Sequence, residues 1–318
     1  MIVTVTPNPA VDKIYWVDRL IIGEVPQEEF LTRATRSDMS AGGKGINVSI
    51  FLARMGVENV AMGFVGGHTG HVVVRDLRDE GVTTNFVWVE GETRTNVTVL
   101  EHKREYIPIL INEPGPEVSE AVMARFLRRY KRMVTQATWV VLGGSLPPGI
   151  PDDFYRELAV LAKESGAKVM VTARGKPLSH SIEACPYLVK PDTRQELVLE
   201  GRDLTSHEGI VAAGKAMVAC GAEIIIISHE VTGDVVITRD AIWEITARVK
   251  TTLFKNLVGA DDALIGGILY QLNRKENVEE ALRFGMAAAI LSAESSEKIC
   301  KDMDRIEEEM SAVSLQKV

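Results

Sequence analysis

Short runs rich in β-branched residues alternate along this chain with longer segments of helical period, and this alternation limits its possible folds more than any other feature. MIVTVT, VAMGFV, TWVVLGG and EIIIIS are candidate strands, while GKGINVSIFLARMG and PDDFYRELAVLAKESGA are candidate helices. Strands that alternate with helices predict βαβ units and a mainly parallel sheet. The chain has 318 residues, of which 46% are apolar, enough for a large core. We therefore predict an α/β protein.

Two segments interrupt this rhythm, residues 13–39 and residues 85–111. In the second segment Val87 and Val89 alternate with Trp88 and Glu90, and valines alternate with polar residues again a few positions later. Such alternation is typical of strands that bury one face and expose the other. We expect both segments to form a separate small sheet.

Charge and cysteine usage exclude several classes of protein. The formal net charge is −8 and the 36 basic residues are scattered, so nucleic-acid binding is not expected. No apolar stretch reaches the roughly 18 residues of a membrane span, and the N-terminus lacks the pattern of a signal peptide. Cys185, Cys220 and Cys300 are far apart and form no C-x-x-C pair, which argues against a disulfide framework or a zinc site. We predict a cytoplasmic protein without a membrane partner.

Glycine-rich loops occur at residues 41–47, 143–149 and 256–262. The first has glycine where a Walker loop requires Ser or Thr after the lysine, and GGSLPPG has proline where a nucleophile elbow requires its final glycine. The loops do follow or precede predicted strands and helices, and open α/β sheets bind ligands at the strand ends. These loops therefore predict a ligand site, but they do not specify which ligand binds there.

Seven motifs identify a family resemblance that covers nearly the whole chain. They are TPNPAVDKIY, AGGKGINVSIFLARMG, GETRTNV, NEPGPEVS, GGSLPPGIPDDFYREL, VKPDTRQEL and NLVGADDALIGG. Their order resembles that of the ribokinase-like (PfkB) sugar kinases, and within them the 1-phosphofructokinase and tagatose-6-phosphate kinase branch.

This resemblance implies a fold and a reaction. The fold would be a single ribokinase-like domain over residues 1–318, a three-layer α/β/α sandwich with a mainly parallel sheet and a small β-sheet lid formed by 13–39 and 85–111. The reaction would be phosphoryl transfer from ATP, with Mg²⁺, to a hydroxyl of a phosphorylated ketohexose such as fructose 1-phosphate or tagatose 6-phosphate. The lid would also join two chains into a homodimer.

The resemblance also implies a set of substrate-binding residues, namely Asp12, Gly42, Gly43, Lys44, Asn47, Arg94 and Ser145. Asp12 would hold sugar hydroxyls, and the glycines with Asn47 would bring backbone and amide groups to the same sugar. Lys44 and Arg94 are the candidates for binding the phosphate already on the substrate, because an ammonium and a guanidinium suit a dianion. Ser145 is a weaker sugar contact.

Asp262 matches the family's catalytic base, and the backbone of Gly259, Ala260 and Asp261 matches its anion hole. An acid in a first helical turn also complements the helix dipole and need not be catalytic. The residues expected on the nucleotide side share positions in the family's ATP-binding segments: Lys190, Asp192, Ser228, Gly233 and Asn256. The sequence does not indicate which residues ligate the metal.

Several positions depart from the family pattern, all of them on the nucleotide side. The pattern G-A-G-D reads Gly259-Ala260-Asp261-Asp262 in this chain, a second position has Glu230 in place of glycine, and Gln195 stands where the family has Glu. A carboxylate about 5 Å from a phosphate oxygen costs roughly 3 kcal/mol at an effective dielectric near 20. Mg²⁺ could bridge Asp261 to the phosphate, or the side chain could turn toward solvent.

Two hypotheses follow from these departures. In the first, the chain is an ATP- and Mg²⁺-dependent sugar-phosphate kinase with an unusual nucleotide site. In the second, it is a degenerate kinase that binds a sugar phosphate without catalysis, because Asp261, Glu230 and Gln195 alter the nucleotide side. The sequence favours the kinase, since Asp262 is present.

Overall fold

In the computed structural model, the described residues are 1–21, 31–101, 109–193, 198–199, 201–230, 232–275 and 277–318. The strands of this part of the chain are β1 (Ile2–Thr6), β2 (Ala10–Val17), β3 (Ala34–Gly42), β4 (Asn59–Gly66), β5 (Thr83–Thr84), β6 (Val87–Val89), β7 (Arg94–Glu101), β8 (Ile109–Asn112), β9 (Trp139–Gly143), β10 (Lys168–Thr172), β11 (Leu188–Val189), β12 (Val198–Leu199), β13 (Arg202–Asp203), β14 (Ile224–Glu230), β15 (Gly233–Thr238), β16 (Ile242–Ala247) and β17 (Val313–Lys317).

The helices follow the strands in the order that the sequence predicts. They are α1 (Lys44–Arg54), α2 (Gly67–Asp79), α3 (Glu120–Val134), α4 (Phe154–Glu164), α5 (Gly175–Ile182), α6 (His207–Ala219), α7 (Ala260–Asn273), α8 (Val278–Glu294) and α9 (Arg305–Glu309).

Eleven of the described strands form one large sheet in the order β17-β16-β15-β14-β11-β10-β9-β1-β4-β5, with β6 also paired to β4. The pairs from β14 through β11, β10, β9 and β1 to β4 are parallel. The edge strands β15, β16 and β17 are antiparallel. The sheet is therefore mainly parallel with an antiparallel edge, as predicted.

Both faces of the large sheet are covered by helices, which explains the continuous apolar runs of its strands. In β14, Ile224 and Ile226 pack in the core that contains residues of α1, α2, α7 and α8. Ile225 and Ile227 pack in the second core, which contains residues of α3, α4, α5 and α6. Successive strand residues thus enter opposite cores, and the α/β/α sandwich is confirmed.

A second, four-stranded sheet has the order β3-β2-β7-β8. Its strands β2 and β7 are parallel, and their register pairs Ala10 with Arg94 and Asp12 with Asn96. This register places the polar side chains of Asp12, Arg94 and Asn96 close together at one end of the small sheet.

The segment around Val87 differs from its prediction. We expected Val87–Val89 in the small sheet, but this strand pairs in parallel with residues Phe64–Gly66 of β4. Val87 is completely buried in the core of the large sheet. The alternation predicted a strand with one buried face correctly, but it does not specify which of two sheets supplies that face.

Among the described residues, none of the helices combines the length and the apolar character needed to cross a bilayer.

Candidate active site

Asp12 lies at the junction of the two sheets, where the β2–β7 register sets it beside Asn96. The Asn96 amide Nδ2 donates to Asp12 Oδ1 at 2.9 Å, and Lys298 Nζ lies 2.8 Å from Asp12 Oδ2. The carboxylate also lies directly against Gly42, since a Cβ at position 42 would collide with it. Glycine at position 42 therefore allows the close approach that fixes this carboxylate.

Arg94 begins β7, where the β2–β7 register sets it beside Ala10. Its Nε donates to the carbonyl of Asn8 at 3.2 Å, and a terminal nitrogen donates to the carbonyl of Glu113 at 3.3 Å. Burial lowers the pKa of the Arg94 guanidinium, Asp12 raises it, and the positive charge of Arg174 lowers it again. Two backbone carbonyls thus anchor the guanidinium, which also feels the charges of a carboxylate and a second cation.

Ser145 is held in the glycine-rich loop that follows β9. Asn8 Nδ2 donates to the Ser145 hydroxyl at 3.3 Å and to the carbonyl of Pro114 at 2.9 Å. Asn8 therefore fastens the GGSLPPG and NEPGP segments to each other, so both motifs border one space.

Asp262 lies in the first turn of α7, and its side chain is 6% exposed. Asn47 of α1 donates from Nδ2 to Asp262 Oδ2 at 2.7 Å. Lys44 Nζ lies 3.7 Å from Asp262 Oδ1 and 3.6 Å from Asp192 Oδ2. Gly43 precedes this lysine as the N-cap of α1. The beginnings of α1 and α7 therefore meet, with the Lys44 ammonium between two carboxylates.

Gly259 is the N-cap of α7 and has a left-handed backbone with φ 90°. A Cβ at this position would also collide with the carbonyl oxygen of Lys298. Only glycine meets both conditions without strain. Ala260 follows as the first residue of α7, where backbone N–H groups at the helix start can bind an anion.

Asp261, in the first turn of α7, pairs with Lys190. Lys190 Nζ lies 3.2 Å from Asp261 Oδ1 and 3.5 Å from Asp234 Oδ1, and it donates to the Ser228 hydroxyl at 2.7 Å. Burial by itself lowers the pKa of this ammonium, but the two carboxylates outweigh burial and raise it. Lys190 is therefore a charged, almost fully buried cation with two acidic neighbours.

Lys190 was not expected as a partner of Asp261. The Asp261 side chain is 38% exposed, so it is neither buried nor turned fully into solvent, and it remains a candidate ligand for Mg²⁺. The estimate of roughly 3 kcal/mol assumed an isolated negative charge. An ammonium at ion-pair distance offsets much of that charge, so the expected damage to anion binding is smaller.

The remaining residues predicted on the nucleotide side are Gly233 in β15 and Asn256 in the segment before α7. Gly233 opens β15 and pairs with Glu230 across the β14–β15 hairpin. Asn256 is 5% exposed and accepts a hydrogen bond from the Val258 N–H at 3.0 Å. Its Nδ2 is buried, without a hydrogen-bond partner among the described residues. Gln195 and the side chain of Glu230 lie outside the described residues.

One cavity of about 720 Å³ joins most of the predicted residues. Nine of them line it: Asp12, Gly43, Lys44, Asn47, Arg94, Ser145, Asp192, Gly259 and Asp262. The cavity therefore extends from the small sheet to the start of α7. The Asp12 carboxylate, the cations Lys44 and Arg94, and the buried Asp262 carboxylate surround one ligand-sized space.

Sequence reasoning missed four residues of this neighbourhood. Asn96 lies within the quoted motif GETRTNV and Asp234 follows the predicted residue Gly233, so polar type and position could have identified them. Arg174 lines the cavity, although no role was predicted for it. Lys298 belongs to no motif and pairs with a residue 286 positions earlier, so only the fold reveals it.

The few carboxylates of this arrangement suit the partial protein coordination that Mg²⁺ commonly has. Within the described part of the chain, no group of three or more His, Cys, Asp or Glu side chains could hold a metal ion. Mg²⁺ commonly takes one or two carboxylates and completes its shell with phosphates and water. Asp192 and Asp261 are 12% and 38% exposed, so they could supply such a partial set.

Comparison with known proteins agrees with this geometry. The model of the pfkB family carbohydrate kinases matches residues 11–302. The chain is 35% identical over 297 residues to a 1-phosphofructokinase of Bacillus subtilis, covering 93% of this chain and 94% of that protein. It is 32% identical over 317 residues to a D-tagatose-1-phosphate kinase of Bacillus licheniformis, covering 99% of each.

The fold gives the same result. The crystal structure of a possible 1-phosphofructokinase from Thermotoga maritima superposes with a TM-score of 0.90 at 35% identity, covering 100% of this chain and 99% of that one. The ribokinase-like fold and the family resemblance carried by the seven motifs are therefore confirmed. The chain belongs to the pfkB family of carbohydrate kinases.

Proposed function

We propose that this kinase transfers the γ-phosphoryl group of ATP, with Mg²⁺, to a hydroxyl of a phosphorylated ketohexose of the fructose 1-phosphate type. The observation that supports the proposal best is the single cavity that connects the Asp12 carboxylate, the cations Lys44, Arg94 and Arg174, and Asp262 at the start of α7. A sugar with hydroxyls at one end and a phosphate at the other needs this combination of groups.

Asp262 is proposed as the general base. The hydrogen bond from Asn47 to Oδ2 holds one carboxylate oxygen, which leaves Oδ1 on the side of Lys44. A carboxylate fixed in this way can take the proton of an attacking hydroxyl, provided the hydroxyl lies at hydrogen-bond distance. Lys44 lies beside it and would attract the negatively charged group that is being transferred.

The backbone at the start of α7 is proposed as the anion hole. Gly259 turns the chain into the helix with its left-handed conformation, so the N–H groups of the first turn point out of the helix end. Such groups, together with the helix dipole, stabilise negative charge that develops during transfer. This role needs the backbone of Gly259, Ala260 and Asp261 and not their side chains.

Arg94 and Arg174 are proposed to select a phosphorylated sugar. Both line the cavity, and the positive charge of Arg174 lowers the pKa of Arg94. Two guanidiniums in one cavity repel each other, and a phosphate dianion between them would remove that cost. Lys44 is also proposed to bind the substrate phosphate. It lies closer than Arg94 to the proposed base Asp262.

The nucleotide is proposed to bind on the side of Lys190, Ser228, Gly233 and Asn256. Mg²⁺ bound with ATP would neutralise phosphate charge, and Asp192 and Asp261 are the carboxylates that could hold it. The buried and unpaired Nδ2 of Asn256 is a donor that fits this anionic ligand. Lys190 would keep its charge in this environment, because Asp234 and Asp261 raise its pKa against the effect of burial.

The proposed function is tested by incubating the protein with ATP, Mg²⁺ and each of several sugars, and by following new phosphate esters with phosphorus NMR. Fructose 1-phosphate, tagatose 1-phosphate and tagatose 6-phosphate are the candidates, with fructose as the unphosphorylated control. We expect a bisphosphate product from a ketohexose phosphate and none from fructose. Binding of these phosphates without turnover under any condition would instead support the degenerate, non-catalytic kinase.

The small sheet is proposed to act as a lid and as the contact between two chains in the cytoplasm. Met39 of β3 and Leu110 and Ile111 of β8 are 46%, 43% and 58% exposed. Large apolar side chains at the outer strands of an open sheet favour pairing with another copy. Light scattering at micromolar concentration should therefore give the mass of a homodimer, and a monomer mass would contradict this part of the proposal.

A further inference from the structure

Lys298 lies in the segment between α8 and α9, far in sequence from the other site residues. Its side chain is 7% exposed, and its ammonium lies 2.8 Å from Asp12 Oδ2. The same ammonium also donates to the carbonyl oxygen of Ala41. A buried lysine with two close partners has a defined position, in contrast to a surface lysine.

Asp12 has Lys298 as its ion-pair partner, and the Arg94 guanidinium interacts with it from farther away. Its side chain is 13% exposed, and Asn96 and Lys298 are its partners at Oδ1 and Oδ2 respectively. A carboxylate so far removed from water needs a compensating charge and hydrogen bonds to remain in place. Asn96 supplies only a neutral donor, so Lys298 supplies the positive charge at ion-pair distance.

The backbone of Lys298 lies beside the other half of the cavity. A Cβ on Gly259 would collide with the Lys298 carbonyl oxygen, which shows that the two backbones are in contact. Lys298 therefore touches the start of α7 with its main chain and Asp12 with its side chain. Substitution of the side chain alone should leave the main-chain contact with the anion hole in place.

We infer that Lys298 is a positioning residue for the sugar, holding the Asp12 carboxylate in the orientation that accepts hydrogen bonds from sugar hydroxyls. The inference rests on the proposed function, since it takes the ligand of the cavity to be a sugar phosphate. The lysine acts through Asp12 and leaves the phosphate and the nucleotide to other residues.

The test compares Lys298→Met with Lys301→Met as the matched control. Lys301 lies three residues later, is 66% exposed and pairs with Glu297 at 2.7 Å. Calorimetry without nucleotide should show fructose 1-phosphate binding weakened about 10- to 100-fold in Lys298→Met, because a buried carboxylate loses its ionic partner. ATP binding should change less than about twofold. The control should bind both ligands as the wild type does.

Steady-state kinetics give a second readout. In Lys298→Met the KM for fructose 1-phosphate should rise by the same factor as the dissociation constant, while kcat at saturating sugar stays within about threefold. A residue that only supports the fold would affect the binding of both ligands and lower the melting temperature.

The double variant Asp12→Asn with Lys298→Met keeps the test valid if the single variant does not fold, because it removes both buried charges together. It should bind fructose 1-phosphate no more weakly than Asp12→Asn alone. A further tenfold loss in the double variant would show that Lys298 does not act through Asp12, and would overturn the inference.

Failure of the inference can be separated from failure of the proposed function. A wild-type chain that binds none of the three ketohexose phosphates overturns the proposed function, and the inference with it. A wild type that binds one of them while Lys298→Met binds it equally well overturns the inference alone. Equal losses for sugar phosphate and ATP, with a lower melting temperature, also overturn it.

Discussion

The proposed sugar side and the proposed nucleotide side of this site each hold a largely buried charge, and the two charges have opposite signs. On the sugar side a single carboxylate, Asp12, is held by one amide and one ammonium. On the nucleotide side a single ammonium, Lys190, is held by one hydroxyl and two carboxylates. The sugar side also has Arg94 and Arg174 in the cavity wall, whereas the cation of the nucleotide side already has acidic partners.

This difference bears on the unexpected carboxylate of Asp261. An extra acid beside an anion hole repels a phosphate, but Lys190 is close enough to offset that charge. We therefore expect Asp261 to weaken binding of a nucleotide phosphate less than an isolated carboxylate would. Lys190 is already paired with Asp234 and Asp261, which should reduce its attraction for such a phosphate.

The largest effect on turnover is expected from substitution of Asp262, which lies where the sugar side and the nucleotide side meet. Asp262→Asn should lower kcat by about 10²- to 10⁴-fold, because the amide cannot accept the proton of the attacking hydroxyl. Binding of fructose 1-phosphate, measured by calorimetry, should stay within about threefold, since Asp12, Arg94 and Lys44 are unchanged.

An exposed acid of similar setting provides the control for this variant. Glu279 lies in the first turn of α8 and is exposed, so Glu279→Gln should leave kcat unchanged. If Asp262→Asn kept more than a tenth of the wild-type turnover, Asp262 would be an ordinary helix-start acid and the proposed base would be wrong.

The next effect concerns the cations of the sugar side. Arg94→Ala should weaken binding of fructose 1-phosphate by about 1.5–3 kcal/mol, the range for hydrogen bonds to charged groups. Binding of unphosphorylated fructose should hardly change, because fructose offers no phosphate to the guanidinium. Calorimetry with both ligands distinguishes these outcomes.

Arg36 is the matched control, as it lies on β3 of the same small sheet and stacks over Trp16 at 4.5 Å. Arg36→Ala removes a positive charge from that sheet and should leave both affinities unchanged. Equal losses for the two ligands in Arg94→Ala would show that Arg94 supports the sheet and does not recognise the phosphate.

The sequence predicted the two sides to different depths, for physical reasons. The βα alternation and the motifs predicted the sandwich. The motifs also predicted that Asp12, Asn47 and Asp262 share one site, because each of these residues lies near the start of a strand or helix. Pairing across the fold was not predictable: Lys190 with Asp261 and Lys298 with Asp12 join positions that no local period relates. The ion pair of Asp261 with Lys190 was not expected for that reason.

A smaller effect is expected at Asp261 itself. Asp261→Asn removes one of the two acids beside Lys190, so ATP affinity should rise about 3- to 10-fold, less than an uncompensated charge would give. Titration with ATP at several Mg²⁺ concentrations measures this. A loss of affinity together with a higher Mg²⁺ requirement would identify Asp261 as a metal ligand, and an unchanged affinity would mean that Lys190 does not contact the nucleotide.

The smallest effect is expected at Glu92, which supports the sugar side from outside the cavity. Its carboxylate accepts hydrogen bonds from the backbone N–H groups of His68 and Thr69 at the start of α2. Since it lies two residues before Arg94, Glu92→Gln should weaken fructose 1-phosphate binding by no more than about threefold, a small fraction of the effect expected for Arg94→Ala.

The pH dependence of Glu92 separates this anchoring role from recognition of the sugar. Hydrogen bonds from the Thr69 backbone, the Thr69 hydroxyl and the His68 backbone lower the pKa of Glu92 to about 2, against roughly 4.3 in an unfolded chain. A lowered pKa stabilises the folded state above the unfolded value, and that stabilisation is lost as pH falls from about 4 toward 2. Glu92→Gln should therefore melt below wild type at pH 7, and the two melting temperatures should converge as the pH approaches 2. A constant difference at every pH would show that the ionised carboxylate does not anchor α2, and that the small sheet holds Arg94 without it.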